Sequence, residues 1–89
     1  MNYKEFIKLA KTGNMKYKII DSYNPVLVGE IREVREVKKI EKSLFPGSKE
    51  VIFKDGSKIV IREEDMNFLT NGDIRICRLG TYVYTIRII

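Results

Sequence analysis

The side chains in this sequence with the clearest chemical potential are the cations near its two ends. The chain has 17 Lys and Arg against 12 Asp and Glu, a net charge of +5. Residues 1–20 hold five Lys and one Glu, and residues 74–89 hold three Arg and no acid. If folding brings the ends together, they form one positive face suited to nucleic acid or an acidic protein surface. A charge of +5 is also ordinary for the solubility of a small domain.

Three lysines have the spacing of a row on a helix. Lys4, Lys8 and Lys11 lie at i, i+4 and i+7, so they project from one side of a helix. Such a row is most often the solvated side of an amphipathic helix. Tyrosines are interleaved with the basic residues, and this mixture suits phosphate contacts and base stacking. The candidate nucleic-acid-binding residues are Lys4, Lys8, Lys11, Lys16, Tyr17, Lys18, Arg75, Arg78 and Arg87.

The tyrosines differ in how well they suit stacking. Tyr17 and Tyr23 lie beside lysines and are the better candidates. Tyr82 and Tyr84 alternate in step with Ile86, so we expect both rings on the core face of a strand.

Catalytic chemistry has little support in the sequence. There is no His, which removes His-based general base catalysis and most zinc sites. Glu63, Glu64 and Asp65 are consecutive, so their carboxylates point in different directions and form no acid and base pair. Cys77 is the only cysteine and lacks a His to act as its base. We therefore expect a protein that is not an enzyme and that has no metal site and no cofactor.

Protein binding is the alternative class of function. Leu44 and Phe45 precede Pro46 in a loop, where an exposed apolar pair could enter a pocket of a partner. The other interpretation is that the pair folds back over the open end of the domain. The small, Lys- and Ile-rich chain also resembles accessory proteins of bacteria and their phages, including inhibitors of host defence nucleases. A protein-directed inhibitor or adaptor is therefore the second hypothesis.

The elements that position these residues are predicted from local patterns. Asn2 and Glu5 have the spacing of a capping box, and apolar residues then recur at helical period until Gly13. This predicts a helix over about 3–12. A partly alternating segment then predicts a strand over about 16–22.

The segment from 26 to 41 is ambiguous because its apolar residues recur every third position. That spacing matches neither the period of a strand nor that of a helix. We favour a long strand with a bulge, which lets every third residue face inward, and keep a charged helix as the alternative. The residues concerned are Val28, Ile31, Val34, Val37 and Ile40.

An Asp-Gly pair between two β-branched runs predicts a hairpin over 51–61. With a three-residue loop and a left-handed Gly56, Phe53 faces Ser57 and Val51 faces Ile59. A two-residue loop would give a poorer core. We therefore predict the three-residue register.

The last third of the chain predicts a turn and a second hairpin. Residues 62–72 are expected to form a loop or one helical turn, and 74–88 a hairpin with a three-residue turn that places Ile76 opposite Tyr82. If the C-terminal strand, which ends at Ile89, lies at a sheet edge, a homodimer could form by strand pairing.

Together these elements predict one α+β domain over 1–89. It has a short N-terminal helix followed by a curved antiparallel sheet or a small, partly closed β-barrel of five to six strands. The hairpin 51–61, followed by Met66-x-Phe68-Leu69, resembles the central hairpin and following turn of small barrels of the Tudor and Sm kind. The Gly-containing stretch 28–31 is similar to the strand with which such barrels begin. The Sm motif would require Asp at position 63, where this chain has Glu63. The resemblance therefore implies no functional residues.

Location is predicted from cysteine content and hydropathy. A single cysteine forms no intrachain disulfide, which favours an intracellular protein. No apolar run approaches the roughly 18 residues of a membrane span, and charged residues interrupt the N-terminal segment. We expect a cytoplasmic protein without a membrane partner.

Overall fold

A computed structural model describes residues 1–23 and 34–89 of the chain. The first part of the predicted strand 26–41, with Val28 and Ile31, lies outside the described residues. Within them the elements are α1 (Tyr3–Ala10), β1 (Lys16–Ser22), β2 (Arg35–Lys42), β3 (Ser48–Phe53), β4 (Lys58–Arg62), a 3-10 turn (Glu63–Asp65), β5 (Met66–Phe68), β6 (Ile74–Arg78) and β7 (Thr81–Ile88).

The described strands form one antiparallel sheet in the order β4-β3-β2-β1-β7-β6-β5. The predicted α+β class with an N-terminal helix is confirmed. The strand count is wrong, because there are seven strands within the described residues. No pairing between β4 and β5 closes these strands into a barrel. The extra strand is β5, whose three residues are too few to show alternation in the sequence.

The helix α1 begins as predicted and ends earlier. The Asn2 side chain accepts a hydrogen bond from the Glu5 backbone N–H at 2.9 Å, which caps the first turn. The Thr12 hydroxyl donates to the Leu9 carbonyl at 2.7 Å. The chain then turns through Gly13 at φ +75°. This local bonding competes with helical hydrogen bonding and ends the helix at Ala10 rather than near residue 12.

The strand β2 resolves the ambiguous segment within its described part. Residues 35–42 are a strand, and the register shifts between Val37 and Lys39, as a bulge requires. Val37 is fully buried and Ile40 is partly buried, while Lys38 between them is exposed. The bulge therefore lets two residues three apart both face inward. The helical alternative is wrong for this part of the chain.

The β3–β4 hairpin has the predicted three-residue register. Val51 pairs with Ile59, and the Phe53 N–H donates to the Ser57 carbonyl at 2.8 Å. Gly56 has φ +89°, the left-handed conformation that this loop needs.

The register predicted for the β6–β7 hairpin is wrong. Ile76 pairs with Tyr84, and Cys77 pairs with Tyr82. The loop has only two residues, Leu79-Gly80, with φ of 52° and 79°, and a bulge follows on β7. This combination moves Tyr82 to the face of the sheet opposite Tyr84. The prediction that both rings face the core is therefore wrong for Tyr82.

The C-terminal strand is an interior strand of the sheet. The strand β7 lies between β1 and β6, and the Ile89 N–H donates to the Lys16 carbonyl at 3.0 Å. The predicted C-terminal edge for a homodimer is wrong, because both sides of β7 are already paired. The edges of the described sheet are β4 and β5.

The core lies on one face of the sheet, beneath α1. Phe6 of the helix contacts Phe68 edge-on at 6.4 Å between ring centroids, and Tyr17 contacts Phe53 in the same way at 5.9 Å. The buried apolar residues form one cluster: Phe6, Ile7, Ala10, Met15, Tyr17, Ile19, Val37, Val51, Phe53, Ile61, Met66, Ile74, Ile76 and Ile86.

Candidate nucleic-acid interface

The fold separates Lys18 and Arg87 from the lysines of the helix. Lys18 and Arg87 pair across β1 and β7 and alternate with buried residues, so both side chains point away from the core. The helix α1 covers the core side of the same sheet through Phe6, Ile7 and Ala10. Its lysines therefore project on the opposite side from Lys18 and Arg87. The expected positive face therefore does not include Lys18 or Arg87.

Tyr17 is not available for stacking. Only 3% of its surface is exposed, and its ring packs edge-on against Phe53. Burial raises the pKa of its hydroxyl well above the usual range. The prediction that this ring stacks on bases is therefore wrong. Tyr23, by contrast, is 76% exposed.

Two of the predicted cations form ion pairs with carboxylates. Arg87 donates two hydrogen bonds to Asp73, Nε to Oδ1 at 2.9 Å and Nη2 to Oδ2 at 3.0 Å. The hydrogen bond from Arg87 lowers the pKa of the Asp73 carboxyl, whose side chain is almost completely buried. The Nζ atom of Lys16 lies 3.4 Å from Oε1 of Glu36. These pairs neutralise charges that the sequence alone presents as free.

Arg75 belongs to a cluster of side chains on the outer face of the sheet that contact and hydrogen-bond one another. Its guanidinium lies 4.7 Å from the centroid of the Tyr82 ring. The Tyr82 hydroxyl donates to Asp21 at 2.7 Å and lies 2.8 Å from the Thr85 hydroxyl. Burial, together with the Asp21 carboxylate, raises the pKa of the Tyr82 hydroxyl. Because Arg75 covers the ring, this cluster offers no open stacking surface.

The helix lysines share a groove with lysines of the sheet. Lys4, Lys8 and Lys11 line one side of it and Lys49 of β3 the other. The groove continues past Tyr3 and Lys49 into a second stretch that Lys42 of β2 also lines. We call this surface the lysine groove and define it by Lys4, Lys8, Lys11, Lys42 and Lys49. Glu63 lines both stretches as an acidic neighbour.

The lysine groove contains an uncompensated pair of like charges. Lys42 and Lys49 are register partners on β2 and β3, a placement in which like charges repel. Within the described residues no ion pair involves any lysine of the groove. The neighbouring pair Glu41 and Glu50 is also of like charge, but each of these has its own lysine partner, at 3.4 Å and 3.8 Å. Sequence reasoning missed Lys42 and Lys49 because their pairing depends on the β2–β3 register.

The loop between β2 and β3 carries the predicted apolar pair. Leu44 is 96% exposed and Phe45 is 67% exposed, so the interpretation that they fold back over the domain is wrong. The Phe45 N–H donates to the Ser43 hydroxyl at 3.2 Å, and the Phe45 carbonyl accepts from Ser48 N–H at 3.1 Å. The ring is therefore presented by a hydrogen-bonded loop.

Phe45 also joins the lysine groove to a further depression. We call it the aromatic cleft, lined by Phe45, Pro46, Ser48, Val60, Arg62, Asp65, Arg78 and Leu79. The same ring lines the second stretch of the lysine groove. Arg78 of the predicted set thus lies on the same surface as Lys42 and Lys49. The structure brings together residues that the sequence assigned to two different functions.

Other features of the described residues offer less to a ligand. A cavity between β4 and β6 holds about 30 Å³, enough for one or two water molecules. In the ranges 1–23 and 34–89, no three His, Cys, Asp or Glu side chains are grouped to hold a metal ion. No described helix has the length and apolarity to cross a membrane. Comparison with family models, curated proteins and solved structures finds no match.

Proposed function

We propose that this protein is a non-catalytic module that binds nucleic acid along the lysine groove. The observation that carries the proposal is the Lys42–Lys49 pair. Directly opposed like charges destabilise a sheet, and an anionic backbone laid across them would turn that repulsion into attraction. We place this binding in the cytoplasm, in keeping with the single cysteine of the chain.

The charge of the groove supports a partner with several phosphates. Five lysines face one lining carboxylate, that of Glu63. Each lysine that neutralises a phosphate releases condensed counterions, which makes the affinity depend on salt. With five contacts, the slope of log affinity against log salt is about −3.5 for a single strand and about −4.5 for a duplex.

The test is fluorescence anisotropy with labelled single-stranded DNA, duplex DNA and RNA over a range of salt concentrations. The double variant Lys42→Gln with Lys49→Gln should lose two contacts, so its slope on a single strand should rise by about 1.4. The matched control is Lys18→Gln with Lys54→Gln, which removes the same charge away from the lysine groove. We expect the control to keep the full slope.

Equal losses in the two double variants would overturn the assignment to the lysine groove, because net charge alone would then explain binding. No binding at low salt would overturn the proposed function. That outcome would favour the second candidate, a protein-directed inhibitor or adaptor, which is supported by the exposure of Leu44 and Phe45. A pull-down from lysate would then be the next experiment.

A further inference from the structure

The aromatic cleft has a chemistry different from that of the lysine groove. Phe45 and Leu79 present apolar surface, with exposed fractions of 67% and 83%. Arg78 lines the same cleft, and no ion pair within the described residues involves it. Arg62 is paired with Glu64, and Asp65 supplies a carboxylate. The cleft therefore combines an exposed aromatic ring with a free cation.

Leu79 has no folding role that explains its place in the cleft. It occupies a two-residue turn at φ 52°, where Asn, Asp and Gly are the usual residues. A left-handed conformation disfavours an L side chain, and the exposed leucine contributes little burial in return. An apolar side chain at this position suits contact with a ligand better than it suits the turn.

We propose that the aromatic cleft takes an unpaired base of a single-stranded nucleic acid, stacked on Phe45. This inference rests on the proposed function. Cations complementary to a phosphate backbone lie on both sides of the ring. Lys42 and Lys49 lie on the groove side, and Arg78 lies on the cleft side. A strand that crosses Phe45 would have cations for the phosphates before and after the stacked base. Arg78 would then add one contact, about −0.7 in the salt slope of a single strand, to the five of the lysine groove.

A duplex does not satisfy the same arrangement. Its bases are paired and stacked on one another, so no base face can reach Phe45 unless the strands separate. The phosphates of a duplex could still contact the lysine groove. The cleft therefore predicts a preference for single strands over duplexes, and this preference should depend on the ring of Phe45.

The absence of tryptophan from the sequence allows a direct test. Phe45→Trp introduces a single tryptophan, whose fluorescence should be quenched when a base stacks on it. The probe is an oligothymidylate of about 12 nucleotides, compared with a duplex of equal length. The control is Tyr23→Trp, an exposed position at the end of β1. We expect quenching of the first variant by the single strand only, and no quenching of the second.

Affinity gives an independent measurement. Phe45→Ala should weaken single-strand binding about 5- to 150-fold, the loss of one base–aromatic stack. Duplex affinity and the salt slope should not change. The matched control is Leu44→Ala, which removes the more exposed neighbouring side chain outside the residues that line the cleft. A thermal melt of each variant checks that the fold is retained.

The outcomes separate the two proposals. One outcome is salt-dependent binding with no quenching of the Phe45→Trp variant and with equal affinity for single strand and duplex. It would overturn the proposal for the aromatic cleft but not the proposal for the lysine groove. Quenching of the Tyr23→Trp variant instead would also overturn it, because the bases would then lie near the end of β1. No binding to any nucleic acid would overturn both proposals, as would a protein partner lost on Phe45→Ala in the absence of nucleic-acid binding.

Discussion

Replacing Phe6 by alanine tests how the helix that carries three lysines of the groove is held. The helix α1 has eight residues, shorter than the roughly 12–15 at which an isolated helix is even marginal in water. Its docking therefore depends on packing. Phe6 is only 2% exposed and contacts Phe68 edge-on at 6.4 Å, while Ile7 and Ala10 are buried beside it. Phe6 is the largest of these three anchors.

The expected loss is large for a domain of this size. Truncating a buried Phe to Ala costs about 3–5 kcal/mol. A chain of 89 residues has a total unfolding free energy of about 4–13 kcal/mol. At about 5 °C for each kcal/mol, the melting temperature should fall by about 15–25 °C. The helix α1 could instead undock at a lower free-energy cost than global unfolding. The loss of stability is then no larger than the docking energy of the helix, and the main effect of the substitution is weaker binding.

Two measurements together cover both cases. Circular dichroism follows the melting temperature, and fluorescence anisotropy follows the salt slope on a single strand. An undocked helix removes three of the five lysines, so the slope should rise by about 2.1. Two controls lie on the same helix. Lys8→Ala should leave the melting temperature nearly unchanged, and Leu9→Ala, which removes a partly buried side chain, should give an intermediate fall.

Two results would contradict the role of Phe6 as the anchor of α1. If Phe6→Ala melts within about 3 °C of the unchanged protein, well below the expected fall, and also keeps the full salt slope, then Phe6 does not anchor α1. The same conclusion follows if Leu9→Ala is the more damaging substitution, because burial would then not decide the energetics of the helix.

Two further predictions concern the outer face of the sheet. Asp73→Asn should lower the melting temperature by several degrees at neutral pH, because it removes the carboxylate that binds Arg87. The pKa of Asp73 is lowered in the folded protein. Its contribution to stability is therefore complete above the ordinary Asp pKa of about 4 and is lost as pH falls through the lower pKa of the folded protein. Melts over a pH series should show the two proteins converging in acid, and a constant gap would contradict the assignment. Tyr82→Phe should cost about 1 kcal/mol in urea unfolding, because it takes a partner from the buried Thr85 hydroxyl. Tyr23→Phe is the exposed control, and an equal cost in both would contradict the role of the cluster.

Parts of the fold could be predicted because their causes are local. The helix cap at Asn2 and the left-handed turn at Gly56 each involve only three or four neighbouring residues. Such patterns are visible in the sequence itself. The bulge near Val37 was also predictable, since a spacing of three demands an extra residue in a strand. The exposure of Phe45 could not be predicted, because nothing in the neighbouring sequence decides whether the loop folds back.

The remaining features depend on which strands meet, and residues distant in sequence decide that. The sheet order makes β7 an interior strand, and a two-residue turn with a bulge moves Tyr82 away from the core face. The sequence presents Tyr17 as a stacking residue, and only the structure shows that its ring packs against Phe53. Lys42 and Lys49 become opposed only through the β2–β3 register. Composition determined that the chain carries a cationic excess. The tertiary structure alone decided which cations are neutralised by carboxylates and which remain free in a groove, because pairing requires proximity in space.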